Sequence, residues 1–434
     1  MNASKETARA RQGAFYYAGL VLVAAIVFGG GQTQGLVTDH LIEVIMLPAV
    51  FMGLGGLFST RTGVAARLLV IAVLALGTAQ FLPVWRASPA PELAPDADGW
   101  AFWSRTPQQS LESVLFTVCA IGFALFVSRF SDRDQERLLR FVFLGFFVQL
   151  IAGVIQLSYD REPIVSDLLA FTIRSGLFAN ENHYSSLFFC VIPAIAWYFL
   201  ARGRRFITYI VVCAALVFFL FAVGSRAGMA ISALLSLVCL FWFGATRLSA
   251  FIKAGLLGMV AALMVAAGIL AGAETGLEGD LRLTIFATTW QVIRENWLFG
   301  TGLGSFTTVY PSYEASGDIF SRYVNHAHSD YLEIFMETVI AGPVLIIAFL
   351  MLVLANGFRS RLSEAALIAV LALMLHSIVD YPLRTFAVAV PFALYCGIVF
   401  STRQVFTEST DTTHAERRGY EDDFVPLERV GEQD

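Results

Sequence analysis

Charge is scarce in this chain. Of its 434 residues only 15% are Asp, Glu, Lys or Arg, against about 25% in soluble domains. Together with a hydrophobic share of 57%, that shortage excludes an ordinary soluble domain. Cysteine is sparse as well. The five cysteines (Cys119, Cys190, Cys213, Cys239, Cys396) all lie inside apolar runs, which argues against a disulfide framework or a metal–thiolate site and leaves them as small packing residues. A cleavable signal peptide is not apparent: the first apolar run follows Lys5, Arg9 and Arg11, lacks a small-residue cleavage site and leads into further apolar runs. Neither a Walker loop nor a dinucleotide fingerprint occurs, and no nucleic-acid partner is expected.

What the chain does have is apolar sequence of membrane-spanning length, many times over. Twelve spans are expected, near 15–31, 41–58, 64–83, 111–128, 141–157, 184–200, 206–223, 227–243, 254–272, 331–354, 364–380 and 386–400. The expected fold is an all-α polytopic membrane protein with about twelve transmembrane helices and a long outer loop carrying amphipathic helices. Residues 1–14 form a cytoplasmic N-terminus, 15–272 the first nine spans, 273–330 the outer loop, 331–400 the last three spans, and 401–434 a polar, disordered cytoplasmic tail. Both termini are placed inside because most basic residues then fall in cytoplasmic loops. Arg86, Arg105, Arg161, Arg174, Arg226, Arg282, Arg294, Arg322 and Arg384 remain outside. These outer arginines run against the positive-inside tendency, and an anionic ligand would account for those that flank helix ends.

Several outer segments are candidates for chemistry. Gly224-Ser225-Arg226 joins two spans with almost no loop. An arginine there is costly unless paired, so it either grips a phosphate or diphosphate with its guanidinium fork or snorkels and staples two helix ends. The run 281–297 repeats Leu283, Phe286, Trp290, Ile293 and Trp297 at helical spacing, as expected of a helix lying on the outer leaflet. Arg282 at its start is a ligand candidate, whereas Arg294 reads better as an interfacial anchor. Gly300-Thr301-Gly302-Leu303-Gly304 is either an anion-binding nest or a plain turn. His326 and His328 precede the tenth span, with Asp330 and Tyr331 beside them. They do not share a helix face; His328, near a helix N-terminus, would stay neutral and available as a base, and the alternative is a pair of interfacial capping residues. His376, Asp380 and Arg384 are spaced by four and would share one face, although Pro382 is placed to end the helix first. They form either a self-satisfied ion cluster or a support for the site.

In order and spacing these strings resemble the superfamily of O-antigen ligases and O-antigen or exopolysaccharide polymerases. The resemblance runs from about Arg174 to Phe400, through Ser175-Gly176-Leu177-Phe178-Ala179-Asn180-Glu181-Asn182-His183, Gly224-Ser225-Arg226-Ala227-Gly228, Arg282, the Gly300–Phe306 turn, His326–Leu332 with Glu337 and Gly342, and His376–Arg384. Earlier in the chain it rests on Gln80-Phe81-Leu82-Pro83-Val84-Trp85. It implies a metal-independent, inverting, membrane-embedded glycosyltransferase without cofactors, acting at the periplasmic face of the bacterial inner membrane. The donor would be an undecaprenyl-diphosphate-linked glycan and the acceptor a second glycan. Membrane lipid would surround the protein, and a flippase and a chain-length regulator are expected partners. By the same resemblance Arg226 and Arg282 would hold the diphosphate and His328 would activate the acceptor hydroxyl. Arg174, Asn182, His326, Tyr331, Asp380 and Arg384 are the expected substrate-binding residues. Ligases tend to carry glycine where this chain has Val339, and the Asn-Glu-Asn-His and His-Ser-Ile-Val-Asp-Tyr-Pro strings look more like the polymerase branch. The expected function is therefore polymerisation of lipid-linked repeats, with ligation to lipid A core or protein, or flipping of a lipid-linked glycan, as alternatives.

Overall fold

The computed structural model describes residues 2–31, 35–58, 63–86, 99–158, 175–244, 255, 277–315 and 324–401. Within them the chain is an all-α membrane protein. Six helices are long and apolar enough to cross a membrane: α1 (Asn2–Phe28, apolar from Arg9), α2 (Val37–Gly55), α4 (Pro107–Val127), α5 (Asp132–Ser158), α6 (Glu181–Ala196, continued by a π-turn over Trp197–Arg202) and α7 (Phe206–Val223). Four shorter apolar helices accompany them: α3 (Val64–Ala79), α8 (Arg226–Gly244), α12 (Ala341–Asn356) and α14 (Phe386–Phe400). The remaining helices are α9 (Leu277–Glu295), α10 (Phe306–Val309), α11 (Asp330–Thr338) and α13 (Arg361–His376). The span expected at 254–272, the tail from 402 onward, and Arg174 lie outside the described residues.

The span expected at 331–354 is divided. Helix α11 ends at Thr338, Val339 takes φ 49° and ψ −126°, and α12 starts at Ala341. A β-branched residue avoids that backbone region, which suits glycine, so the break is imposed by packing. At nine residues α11 is too short to cross a bilayer. Its role is to carry three acidic side chains, described below. The chain also contains a short antiparallel hairpin that periodicity did not reveal, β1 (Pro83–Arg86) with β2 (Gly99–Phe102).

Burial separates the helices into two kinds. From His183 to Ala196 every residue of α6 is buried, and α13 and α14 are buried almost throughout. A helix apolar on all sides belongs at a bundle centre or in lipid, and these three pack on one another at the centre. By contrast α2, α7 and α12 expose Phe51, Val211, Phe218 and Met351, the pattern of helices that face acyl chains. A second, smaller hydrophobic cluster of Ile285, Val292, Ile293, Phe306, Val309, Tyr310, Ala327 and Met336 joins α9, α10 and α11. Helix α9 therefore divides its apolar residues. Ile285, Val292 and Ile293 turn inward, and Leu283, Trp290 and Trp297 stay exposed at the opposite edge or just beyond its end.

Candidate active site

One end of the bundle gathers the N-terminal turn of α6, the start of α8, the C-terminus of α13, the 377–385 connection and the loop before α11. Gly228 explains how α8 arrives there. A Cβ on it would stand 2.3 Å from Ser185 Cβ, so only glycine lets the first turn of α8 close on the first turn of α6. Gly224 ends α7 with φ 95°, and Ser225 accepts the Gly228 N–H at 3.3 Å. The Arg226 backbone is thereby held beside the α6 start, while its side chain lies outside the described residues.

Two clusters of ionisable groups sit at this end. The first surrounds Asp380 and Tyr381. His183 Nε2 stands 3.7 Å from Asp380 Oδ1, which also accepts the Tyr381 N–H at 2.9 Å. Three imidazoles pack on the Tyr381 ring, with centroid separations of 4.6 Å for His183, 4.3 Å for His326 and 5.4 Å for His328. Nearby, His376 Nδ1 is 2.9 Å from Ser186 Oγ. Burial holds the His328 imidazole below its ordinary pKa; the Asp380 charge opposes this, and the Arg282, His326 and His183 charges reinforce it. The side chain is therefore neutral near pH 7, as the sequence suggested, but for another reason. Ser329 is the N-cap of α11, so His328 stands outside the helix, and desolvation is the largest cause of the shift. Its backbone turns at φ 50°, and in this non-helical stretch both His326 and His328 reach Tyr381. The i,i+2 restriction that holds within a helix does not apply here.

The second cluster surrounds Arg384. Its guanidinium nitrogens lie 3.3 Å from Asp330, 3.2 Å from Glu333 and 3.5 Å from Glu337, all on α11. Glu333 also bonds His326 Nδ1 at 3.0 Å and accepts the Ala327 N–H at 3.0 Å. Asp330 accepts from Ser377 Oγ at 2.8 Å. Burial would raise Glu333, but Arg384 and His326 outweigh it and hold the carboxyl well below its usual range. Glu337 goes the other way: burial, with the charge of Glu333, pushes it up despite Arg384. One guanidinium facing three buried carboxylates is a surplus of negative charge, and Glu337, the most distant, takes up a proton.

His376, Asp380 and Arg384 would share one face only on a continuing helix, and α13 stops at His376 before a 3-10 turn over Pro382–Arg384 redirects the chain, so that Arg384 parts from His376 and Asp380. Asp380 joins the imidazoles and Arg384 joins the acids of α11. The Gly300–Gly304 segment is a turn whose N–H groups are taken up internally: Gly302 by Glu337 O, Leu303 by Gln80 Oε1 at 3.2 Å and Gly304 by Glu337 Oε1 at 2.8 Å. The acceptor in this nest is the protein's own Glu337. Tyr331 donates its hydroxyl to Met374 O at 2.7 Å. Asn182 lies half-buried in the first turn of α6, its backbone N–H capped by Asn180. Arg282 is half-buried, and its charge bears on His328. Arg294 is exposed.

Sequence reasoning singled out neither His183 nor Tyr381 as site residues, and it did not anticipate Glu333. Glu333 sits three residues beyond Asp330 on the face that meets Arg384, so an i,i+3 reading of α11 would have found it. His183 and Tyr381 carried no local signal beyond membership of the quoted strings.

Residues 211–347 match the family described as O-antigen ligase. No curated protein matches the chain. The matched stretch includes Arg226, Arg282, His328 and all three acids of α11, and it excludes His183, Asp380 and Arg384. The matched stretch, under half of the chain, is similar to the O-antigen ligase family and supports the resemblance to the O-antigen ligase and polymerase superfamily.

Proposed function

We propose that this protein polymerises polyprenyl-diphosphate-linked oligosaccharide repeats by inverting glycosyl transfer at the outer face of the membrane. The observation that carries the reading is the placement of His328: a half-buried imidazole against the Tyr381 ring, whose centroid is 5.4 Å away, with burial favouring its neutral form, the Arg282 charge acting on it and the Arg226 backbone arriving at the same helix end. His328 takes the proton of the acceptor hydroxyl as that oxygen attacks the anomeric carbon. The bond from this carbon to the diphosphate breaks, and the electron pair leaves with the diphosphate. Arg226 and Arg282 neutralise the charge that develops there, as fixed donors do in acyl- and phosphoryl-transfer sites. Arg384 is committed to three carboxylates and supports α11, so its contribution to substrate binding is indirect; His326 and Tyr331 likewise hold protein partners. The apolar cavity of about 160 Å³ bounded by Val70, Ala124, Phe349 and Phe400 lies toward the opposite end of α14 from Arg384 and takes no part in the chemistry.

Transfer of the finished glycan to a lipid or protein acceptor is the second reading, favoured by the description of the matched family. Complementation of a deletion strain at matched expression separates the possibilities. Under our reading Arg226→Ala, Arg282→Ala and His328→Ala each abolish polymer while single repeats remain on the carrier at the outer face. Long polymer that stays on the carrier would favour ligation, and repeats that never reach the outer face would favour a flippase.

A further inference from the structure

The deepest imidazole of the first cluster has no place in the mechanism so far. His183 is fully buried, in the first turn of α6, a helix with no exposed face from this residue onward. Its ring lies edge-on to Tyr381 at an interplanar angle of 90°. Among the described residues, neither of its nitrogens has a direct hydrogen-bond partner. Nε2 faces Asp380 Oδ1 across 3.7 Å, slightly longer than a hydrogen bond. Buried polar groups in native proteins are almost always paired, and an exception calls for an explanation. An apolar residue of the same volume would fill this space without the desolvation penalty. His183 lies against the Asp380–Tyr381 pair, the same two residues that bear on His328: the carboxylate through its charge and the ring through contact at 5.4 Å. Arg384, the nearest guanidinium along the chain, is turned away to α11, so it is not what fixes Asp380.

We propose that His183 is a positioning residue for glycosyl transfer, its Nε2 anchoring the Asp380 carboxylate so that Asp380 and Tyr381 hold His328 in register with the acceptor hydroxyl. The inference rests on the function proposed above. His183 touches neither substrate in this arrangement, so its loss lowers turnover and leaves donor affinity alone. The geometry also specifies which nitrogen matters. A glutamine amide nitrogen reaches the position of Nε2, whereas an asparagine amide nitrogen reaches only that of Nδ1.

The test uses the full chain in lipid nanodiscs, with lipid-linked oligosaccharide extracted from the deletion strain as donor and acceptor. Transfer by wild type, H328A, H183Q, H183N and H183L is followed, with thermal midpoints recorded for each. We expect H183Q to stay within about threefold of wild-type kcat, and H183N and H183L to fall by about tenfold or more, with donor KM within about twofold throughout. Equal kcat for H183Q and H183N overturns the proposal, as does a loss that appears in KM or in the thermal midpoint instead of kcat. If H183L is not recovered folded, the comparison of H183Q with H183N decides alone. Transfer by H328A equal to wild type refutes the proposed function itself, a result distinct from any pattern among the His183 variants.

Discussion

The two clusters at the polar end of the bundle share residue types and stand side by side, yet they differ in completeness. Around Arg384 the carboxylates have a guanidinium, a serine hydroxyl, backbone N–H groups and His326 as partners, and among their oxygens Glu337 Oε2 alone lacks a direct hydrogen bond among the described residues. Around Asp380, both nitrogens of His183 and Nδ1 of His328 are buried without a direct hydrogen bond among the described residues. A buried polar group left unpaired costs about 1–3 kcal/mol, so folding alone would favour the first arrangement at both places. Under the proposed function the Arg384 cluster, with a cation at its centre, holds the fold and the Asp380 cluster serves chemistry. Breaking each should therefore have a different signature.

The largest effect is expected at His328. Replacing it with alanine should reduce transfer by about 10²–10⁴-fold, the range for a general base, with an unchanged thermal midpoint. In wild type the acid limb of activity should fall below pH 6.5, the ordinary histidine value from which His328 is lowered, because the neutral ring is the active form and persists to lower pH. A pH–rate profile with its acid limb at or above 6.5 would contradict the assignment.

Arg384→Leu should show the opposite signature. It leaves Asp330, Glu333 and Glu337 buried without their cation, and removing one partner of a buried ion pair costs about 3–5 kcal/mol. The expected outcome is a sharply lower midpoint, or no folded protein in detergent. A variant that folds normally but does not catalyse transfer would mean that the two clusters had been assigned the wrong way round.

Gly302 offers a smaller test of the structural cluster. It takes φ 101°, and a Cβ there would stand 2.2 Å from Ser104 Oγ, so Gly302→Ala should destabilise by about 1–3 kcal/mol without altering the pH profile.

Glu337 sharpens the comparison through pH. Its folded-state pKa is raised from 4.5, so the folded state binds the extra proton and the associated stability is complete below that value. Stability is then lost as pH rises through the folded-state pKa. Glu337→Gln should flatten this decline, visible as a smaller drop in thermal midpoint between pH 4.5 and about 8.

The smallest effect is at Val339. Glycine relieves the strained φ of 49°, worth about 1–3 kcal/mol, but it loosens the unfolded chain by about 0.4–1 kcal/mol. Val339→Gly should raise the midpoint slightly; a fall would show that the side chain packs better than its backbone suggests.

Much of this was legible from sequence alone. Low charge and recurrent apolar runs were enough for an all-α membrane protein, because lipid demands that backbone hydrogen bonds close within each helix. Arg226, Arg282 and His328 stood out because polar residues among apolar ones need a reason. The division of the tenth span at Val339 was not legible. Hydropathy is blind to backbone conformation, and a valine gives no hint of a glycine-like φ.

The sequence by itself thus determined the class of protein and the strings that meet at one end, since composition and helical period act locally. Only the tertiary structure decided which groups are partnered and which are not. Arg384 and Asp380 are four residues apart yet answer to different helices, and His183 reaches Asp380 from almost two hundred residues away. Pairing across such distances is set by how α6, α11 and α13 pack, and local spacing carries no record of it.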